Sequence, residues 1–153
     1  MAISTLKGSN KWVELATATS TSGSTVSFTS IPEYPEYLIQ GFNVDASTQG
    51  PDMRLNNDTG SNYSWIRDTT ELGLVTTSIQ VAVGGTDASF QVHIIGANGP
   101  VKQIDIWSGS TVGATKAANR IRGLWNDSSI INRIDFICTG TYSSGSFKVY
   151  GRN

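Results

Sequence analysis

Alternation of apolar and polar residues with a period of two runs along almost the whole chain and limits its fold more than any other feature. It is clearest in residues 90–94, where Phe90, Val92 and Ile94 alternate with polar side chains. Because successive side chains of a β-strand point to opposite faces, this pattern predicts strands with one buried face. Helical spacing is nearly absent, and the best helix candidate is the short segment 114–121.

The breaks between the alternating segments are rich in Gly, Asn, Asp and Ser, which favour tight turns. We expect about ten short strands, one of them at residues 37–44 with Leu38, Phe42 and Val44 on one face. Such spacing predicts an all-β protein, an antiparallel β-sandwich that is jelly-roll-like. No linker divides the chain, so residues 1–153 are expected to form a single domain, with residues 1–10 as a polar N-terminal arm.

Composition excludes several classes of protein. Only 15% of the residues are charged and the net charge is −1, so no basic face for nucleic acid is expected. No apolar run approaches the length of a membrane-spanning helix, so no membrane insertion is expected. The start of the chain lacks a signal-peptide pattern, and the one cysteine, Cys138, is expected to pack in the core without a disulfide.

The sequence offers few residues for catalysis. The only histidine, His93, is predicted to face outward or into an interface, and no Gly-x-Ser-x-Gly motif occurs. The chain has twelve acidic residues, so the sequence does not exclude a pair of catalytic carboxylates. A glycan hydrolase therefore stays open as an alternative. Residues 56–62 (NNDTGSN) resemble a calcium loop, but the terminal Glu is missing and a tight turn is favoured. We therefore expect no catalytic residue, no cofactor and no metal.

Three aromatic residues are the candidates for binding. Trp65 and Trp107 are predicted to lie on the outward phase of their strands, and Tyr63 shares the phase of Trp65. Exposed aromatic rings fill subunit interfaces or stack on sugar rings. Several strands carry apolar residues on both faces, which favours contacts between copies of the chain over a sugar platform.

Three segments resemble a β-sandwich module of tailed-bacteriophage virion proteins. The most specific, residues 53–64 (MRLNNDTGSNYS), is similar to a signature hydrophobic–Arg–hydrophobic–Asn–x–Asp–Thr–Gly–x–Asn–Tyr–Ser. The opening, residues 12–39, and the end, residues 134–151, also resemble the module, with Val149 in place of the usual leucine. Residues 69–126 carry little of the resemblance.

This resemblance implies a non-enzymatic virion protein that is made in the host cytoplasm and lies on the outer surface of the particle. It favours a homotrimeric capsid decoration (cement) protein, whose partners are its own copies and virion proteins such as the major capsid protein. A tail-fibre or baseplate module that recognises host surface glycans is the alternative. The resemblance transfers no active site. Tyr63, Trp65 and Trp107 remain the candidate residues for an interface or for glycan stacking.

Overall fold

The computed structural model describes residues 11–68, 71–84, 86–112 and 114–153. The N-terminal arm expected at residues 1–10 lies outside these ranges. All regular secondary structure in them is β-strand. The strands are β1 (Val13–Thr19), β2 (Thr25–Thr29), β3 (Glu36–Ala46), β4 (Asp52–Leu55), β5 (Tyr63–Arg67), β6 (Glu71–Thr76), β7 (Ile79–Gln80), β8 (Thr86–Ile95), β9 (Val101–Val112), β10 (Thr115–Asn126), β11 (Arg133–Ile137) and β12 (Tyr142–Arg152).

The strands form two antiparallel sheets that pack as a β-sandwich, which confirms the predicted fold class. The larger sheet has eight strands in the order β1-β12-β3-β8-β9-β10-β5-β6, and the smaller has four in the order β2-β11-β4-β7. Twelve strands are present in the described residues where about ten were expected. The jelly-roll arrangement stays a prediction.

The core lies between the two sheets. Phe90 and Phe147 from the large sheet meet Phe136 from the small sheet, with ring centroids 5.4 Å apart for Phe90–Phe136 and 5.3 Å for Phe136–Phe147. All three rings are buried, and burial of each contributes about 1.5–3 kcal/mol. The alternation predicted for residues 90–94 is confirmed, because Phe90, Val92 and Ile94 face this core.

The inward face predicted for β3 is wrong in its first half. Tyr37 and Ile39 are the buried residues, whereas Phe42 is exposed. The pairing of β3 with β8 shifts register between Gly41 and Val44, and Asn43 in this interval has a φ of 48°. A bulge adds one residue to a strand and so reverses the alternation beyond it. Val44 is therefore buried although Phe42 is not.

The segment proposed as the best helix, residues 114–121, belongs to strand β10 instead. Its residues pair with β9 from Thr115 onward, and the second half of β10 also pairs with β5. Intrinsic helix preference is weak compared with hydrogen bonding and packing on two sides of a strand. The short alanine-containing stretch is therefore extended.

Candidate functional site

The large sheet has one face against the small sheet and one that points away from it, which we call the outer face. Five of the eight large hydrophobic side chains that are exposed in the described ranges stand on the outer face. They are Phe42, Ile95, Val101, Trp107 and Leu124. Scattered apolar residues are normal on protein surfaces, but concentration on one face marks an interaction surface. The outer face is therefore the candidate functional site.

The outer face holds two shallow depressions, and the first is mainly apolar. We call it the apolar groove; it has a volume of about 560 Å³ and is lined by Ile66, Ile95 and Leu124. These residues come from three strands, β5, β8 and β10, and meet because the strands are held in register around β9. Asp105 on β9 and Arg122 on β10 are opposite each other in the sheet register, and both stand at the rim of the groove. The groove thus joins apolar walls to charges of both signs.

The second depression, which we call the Trp107 groove, has a volume of about 610 Å³. Ser89, Gly109 and Ala118 are opposite one another on β8, β9 and β10, so a row of small side chains forms its floor. Phe42 and Trp107, 43% and 54% exposed, rise beside this floor. Small side chains next to two large aromatic rings therefore form the depression.

Trp107 is held in place on one side by Arg120. The guanidinium carbon of Arg120 lies 4.5 Å from the centroid of the indole ring. Arg120 in turn donates two hydrogen bonds to the Asp105 carboxylate, at 3.2 Å from Nε and 2.9 Å from Nη2. Hydrogen bonding to Asp105 raises the pKa of Arg120. A bidentate ion pair and a cation–π contact therefore fix the orientation of the ring.

Two amide side chains continue the row of Trp107 across the sheet. Gln91 on β8 is opposite Trp107, and Gln40 on β3 is opposite Gln91. Both line the Trp107 groove, and neither amide has a hydrogen-bond partner among the described residues. Lys148, the next residue of the row, pairs with Glu14 at 3.4 Å. The groove thus offers free amide donors and acceptors beside charges that are already paired.

His93 also lies on the outer face, in agreement with its predicted outward orientation. Its Nε2 is 3.2 Å from the Glu36 carboxylate, which also pairs with Arg152. Trp12 packs edge-on against the imidazole at 5.8 Å, and the Arg152 guanidinium lies 4.6 Å above the Trp12 ring. Burial alone would raise the pKa of Glu36, but the hydrogen bonds from Arg152 and His93 outweigh it and lower that pKa. His93 is therefore part of a polar cluster that joins β3, β8 and β12, and Trp12, the residue before β1, packs against it.

The outward orientation predicted for Tyr63 and Trp65 is wrong. Tyr63 is fully buried, and its hydroxyl accepts a hydrogen bond from the backbone N–H of Leu55 at 2.9 Å. Trp65 is half-buried and packs over Gly73 on the same side of β5. The two residues do share a phase, but Ile66, which served as the inward reference, is the residue on the outer face. Only Trp107 of the three candidates is an exposed outer-face residue.

The segment that resembles a calcium loop is a tight turn in the structure, between β4 and β5. Asp58 accepts hydrogen bonds from the backbone N–H of Gly60 at 2.7 Å, from Asn62 Nδ2 at 2.9 Å and from Trp125 Nε1 at 2.7 Å. Burial alone would raise the pKa of Asp58, but the hydrogen bonds from Trp125, Asn62 and Gly60 lower it. Asn56, with a φ of 54°, begins the turn in the left-handed region that asparagine tolerates. The most specific part of the resemblance is thus a structural corner.

Sequence reasoning missed Phe42, Ile95, Leu124 and Arg120 as residues of the site. The sequence signal for such residues is an apolar residue at an outward position of a strand, such as Ile95 beside the buried Ile94.

Cys138 is half-buried against the core, and this burial raises the pKa of its thiol. In the part of the chain that the structure describes, no cluster of three or more His, Cys, Asp or Glu could hold a metal ion.

Within the described ranges, no helix is long and apolar enough to cross a membrane. No family model matches the chain, and no curated protein matches it.

Proposed function

We propose that the protein is a non-enzymatic structural module that assembles with copies of itself through the outer face. The observation that carries this proposal is the group of exposed aliphatic side chains at the apolar groove, which lies apart from Phe42 and Trp107 on that face. Ile95 and Leu124, each 41% exposed, flank Gln103 in a continuous row across β8, β9 and β10. Covering such a row removes apolar area from water, which contributes about 25 cal/mol for each Å².

A second copy of the chain suits the apolar groove because the rim of the groove has charges of both signs. Asp105 and Arg122 stand side by side there, and Arg122 has no ion pair among the residues that the structure describes. In a ring of three copies each contact is heterologous, so the Arg122 side of the rim in one copy faces the Asp105 side of the rim in the next. Interfaces between identical chains combine such an apolar centre with a polar rim.

The resemblance to virion modules is the basis for proposing where this assembly acts and what it contacts, which we call its setting. On that basis the assembly is a homotrimeric decoration protein on the outer surface of a tailed-bacteriophage capsid, in contact with the major capsid protein. Many copies, each with weak contacts, would hold neighbouring shell subunits together through avidity.

Light scattering after size-exclusion chromatography tests the assembly. We expect three copies of the 16.4 kDa chain, a mass of about 49 kDa, at micromolar concentration. Leu124→Ser should shift the mass towards the monomer, and the monomer should still unfold cooperatively in urea, because Leu124 is exposed in the single chain. Ile130→Ser is the matched control, since Ile130 is 50% exposed but lies in a loop outside the sheets. A wild-type monomer, or equal effects of both variants, would overturn the proposed assembly.

The setting is tested separately. We expect an antibody against the chain to label the outer surface of intact capsids of the virus that encodes it, at many sites on each particle. Labelling confined to the tail tip or baseplate would favour the fibre alternative. No labelling of intact particles would contradict a virion role while leaving the self-assembly result unaffected.

A further inference from the structure

The Trp107 groove differs in chemistry from the apolar groove, although both lie on the outer face. The apolar groove has three aliphatic walls. The Trp107 groove combines two exposed aromatic rings with two amides that have no hydrogen-bond partner in the described part of the chain. Along β9 the two are separated, since Gln103 lines the first and Gly109 the second. A copy seated on the first groove therefore leaves a chemically distinct surface at the second.

We propose that the Trp107 groove binds a neutral oligosaccharide. A pyranose ring has an apolar face of C–H groups and an edge of hydroxyl groups. An exposed aromatic ring matches the first, and amides that both donate and accept hydrogen bonds match the second. Trp107, Gln91 and Gln40 provide this combination in one row of the sheet. The volume of about 610 Å³ lies within the ordinary range for small-ligand sites.

The ring of Trp107 is prepared for stacking before a ligand arrives. Arg120 covers one side of the indole and is itself fixed by two hydrogen bonds to Asp105. Because the side chain is nevertheless 54% exposed, ring surface remains available to a ligand. A side chain that is already ordered loses little conformational entropy on binding.

The charges around the groove indicate a neutral ligand rather than an acidic one. The positive charge of Arg120 is balanced by Asp105 at 2.9 Å, and that of Lys148 by Glu14 at 3.4 Å. Asp68, another residue of the groove, adds a carboxylate that would repel an anion. Its hydrogen bond from the backbone N–H of Arg120, at 3.1 Å, leaves acceptor capacity for a sugar hydroxyl.

The floor of the groove fits a flat ligand better than it fits a protruding protein side chain. Ser89, Gly109 and Ala118 project little from the sheet and form a shallow strip beside Trp107. Phe42 stands next to this strip, 43% exposed, as a second aromatic surface. Two aromatic surfaces along one shallow strip suit successive sugar rings of a chain.

A printed array of neutral and sialylated oligosaccharides is the first test, followed by calorimetry with the neutral sugars that bind. We expect Trp107→Ala to weaken binding about ten-fold or more and Gln91→Ala to weaken it by a smaller factor. Trp107→Phe should recover part of the affinity, since it keeps an aromatic face. The matched control is Trp12→Ala, because Trp12 also stacks under an arginine but lies outside the groove. Urea midpoints show whether each variant is folded.

The outcomes separate this inference from the proposed assembly. Loss of sugar binding in Trp107→Ala, with binding retained in Trp12→Ala and the oligomer mass unchanged, supports the groove as a saccharide site. No neutral sugar bound by the wild-type protein, preference for sialylated sugars, or equal affinity in Trp107→Ala and wild type would overturn it. None of these results changes the light-scattering test of self-assembly, which depends on Leu124.

Discussion

Replacement of Asp58 by alanine tests whether the conspicuous turn between β4 and β5 is a structural corner. The carboxylate accepts three hydrogen bonds, and the donor that matters most is Trp125 Nε1 at 2.7 Å, because the Trp125 side chain is fully buried. In the alanine variant this N–H keeps no partner and water reaches it poorly. Leaving a buried donor unpaired costs about 1–3 kcal/mol.

Loss of the other two hydrogen bonds lowers the free energy of unfolding by less. Gly60 is exposed and Asn62 is half-buried, so water can replace the carboxylate at both, and each lost bond costs about 0.5 kcal/mol. The total expected loss in the free energy of unfolding is about 3 kcal/mol. For a chain of this size, this loss lowers Tm by about 6–12 °C.

Urea denaturation followed by tryptophan fluorescence measures this loss, with Asp68→Asn as the control. Asp68 is exposed, also has a positive φ, and its change to asparagine should alter stability by less than about 0.5 kcal/mol. The Asp58 contribution also depends on pH. Because folding lowers the pKa of Asp58, the stabilisation is complete above its ordinary value of 3.8 and disappears as the pH falls through the lower folded value. A difference between wild type and Asp58→Ala that is below about 1 kcal/mol at neutral pH, or that grows on acidification, would refute the reasoning.

The remaining predictions concern buried polar groups and are measured by the same urea titration. Tyr63→Phe should cost about 1–2 kcal/mol because the hydroxyl bonds to the backbone of Leu55. Tyr142→Phe should be neutral or stabilising, because its buried hydroxyl has no hydrogen-bond partner among the residues that the structure describes. The opposite order would contradict the hydrogen-bond assignment. Lys102→Met should cost about 1–3 kcal/mol, since the buried ammonium donates to two loop carbonyls after β10 and lies 4.8 Å from a tryptophan ring. Lys116→Met, at an exposed position of β10, should change stability little, and equal losses in the two lysine variants would count against this account.

The sandwich could be predicted because the alternation of apolar and polar residues records which face of a strand is buried. The prediction was correct at Phe90, Val92 and Ile94, where β8 runs without a bulge in that interval. It failed at Phe42 because the bulge at Asn43 reverses the phase, and a positive φ at a single asparagine leaves little trace in a sequence pattern. Local periodicity therefore predicts a face only between irregularities.

Only part of the candidate site could be predicted, because the outward phase was clear in β9 and ambiguous in β5. Trp107 was placed on the outward face because Ile104 and Ile106 beside it are both buried, so the phase of β9 was unambiguous. In β5, apolar residues occupy both phases, and Tyr63 and Trp65 were assigned to the wrong one. The burial of Tyr63 depends on partners outside its own strand, Leu55 and Trp125, and the periodicity of β5 does not reveal them. The grooves were not predictable, since they require four strands in register.

The position of β12 between β1 and β3 has a consequence for how the chain reaches its native state. Val13 pairs with Gly151, so the first and last described strands are hydrogen-bonded neighbours. Closing so long a loop is entropically costly, and the strand contacts that offset this cost form only when β12 docks. This slows folding. In the interval, β1 and β3 expose unpaired backbone edges that another chain can pair with. Newly made chains at high concentration should therefore aggregate through these two edges.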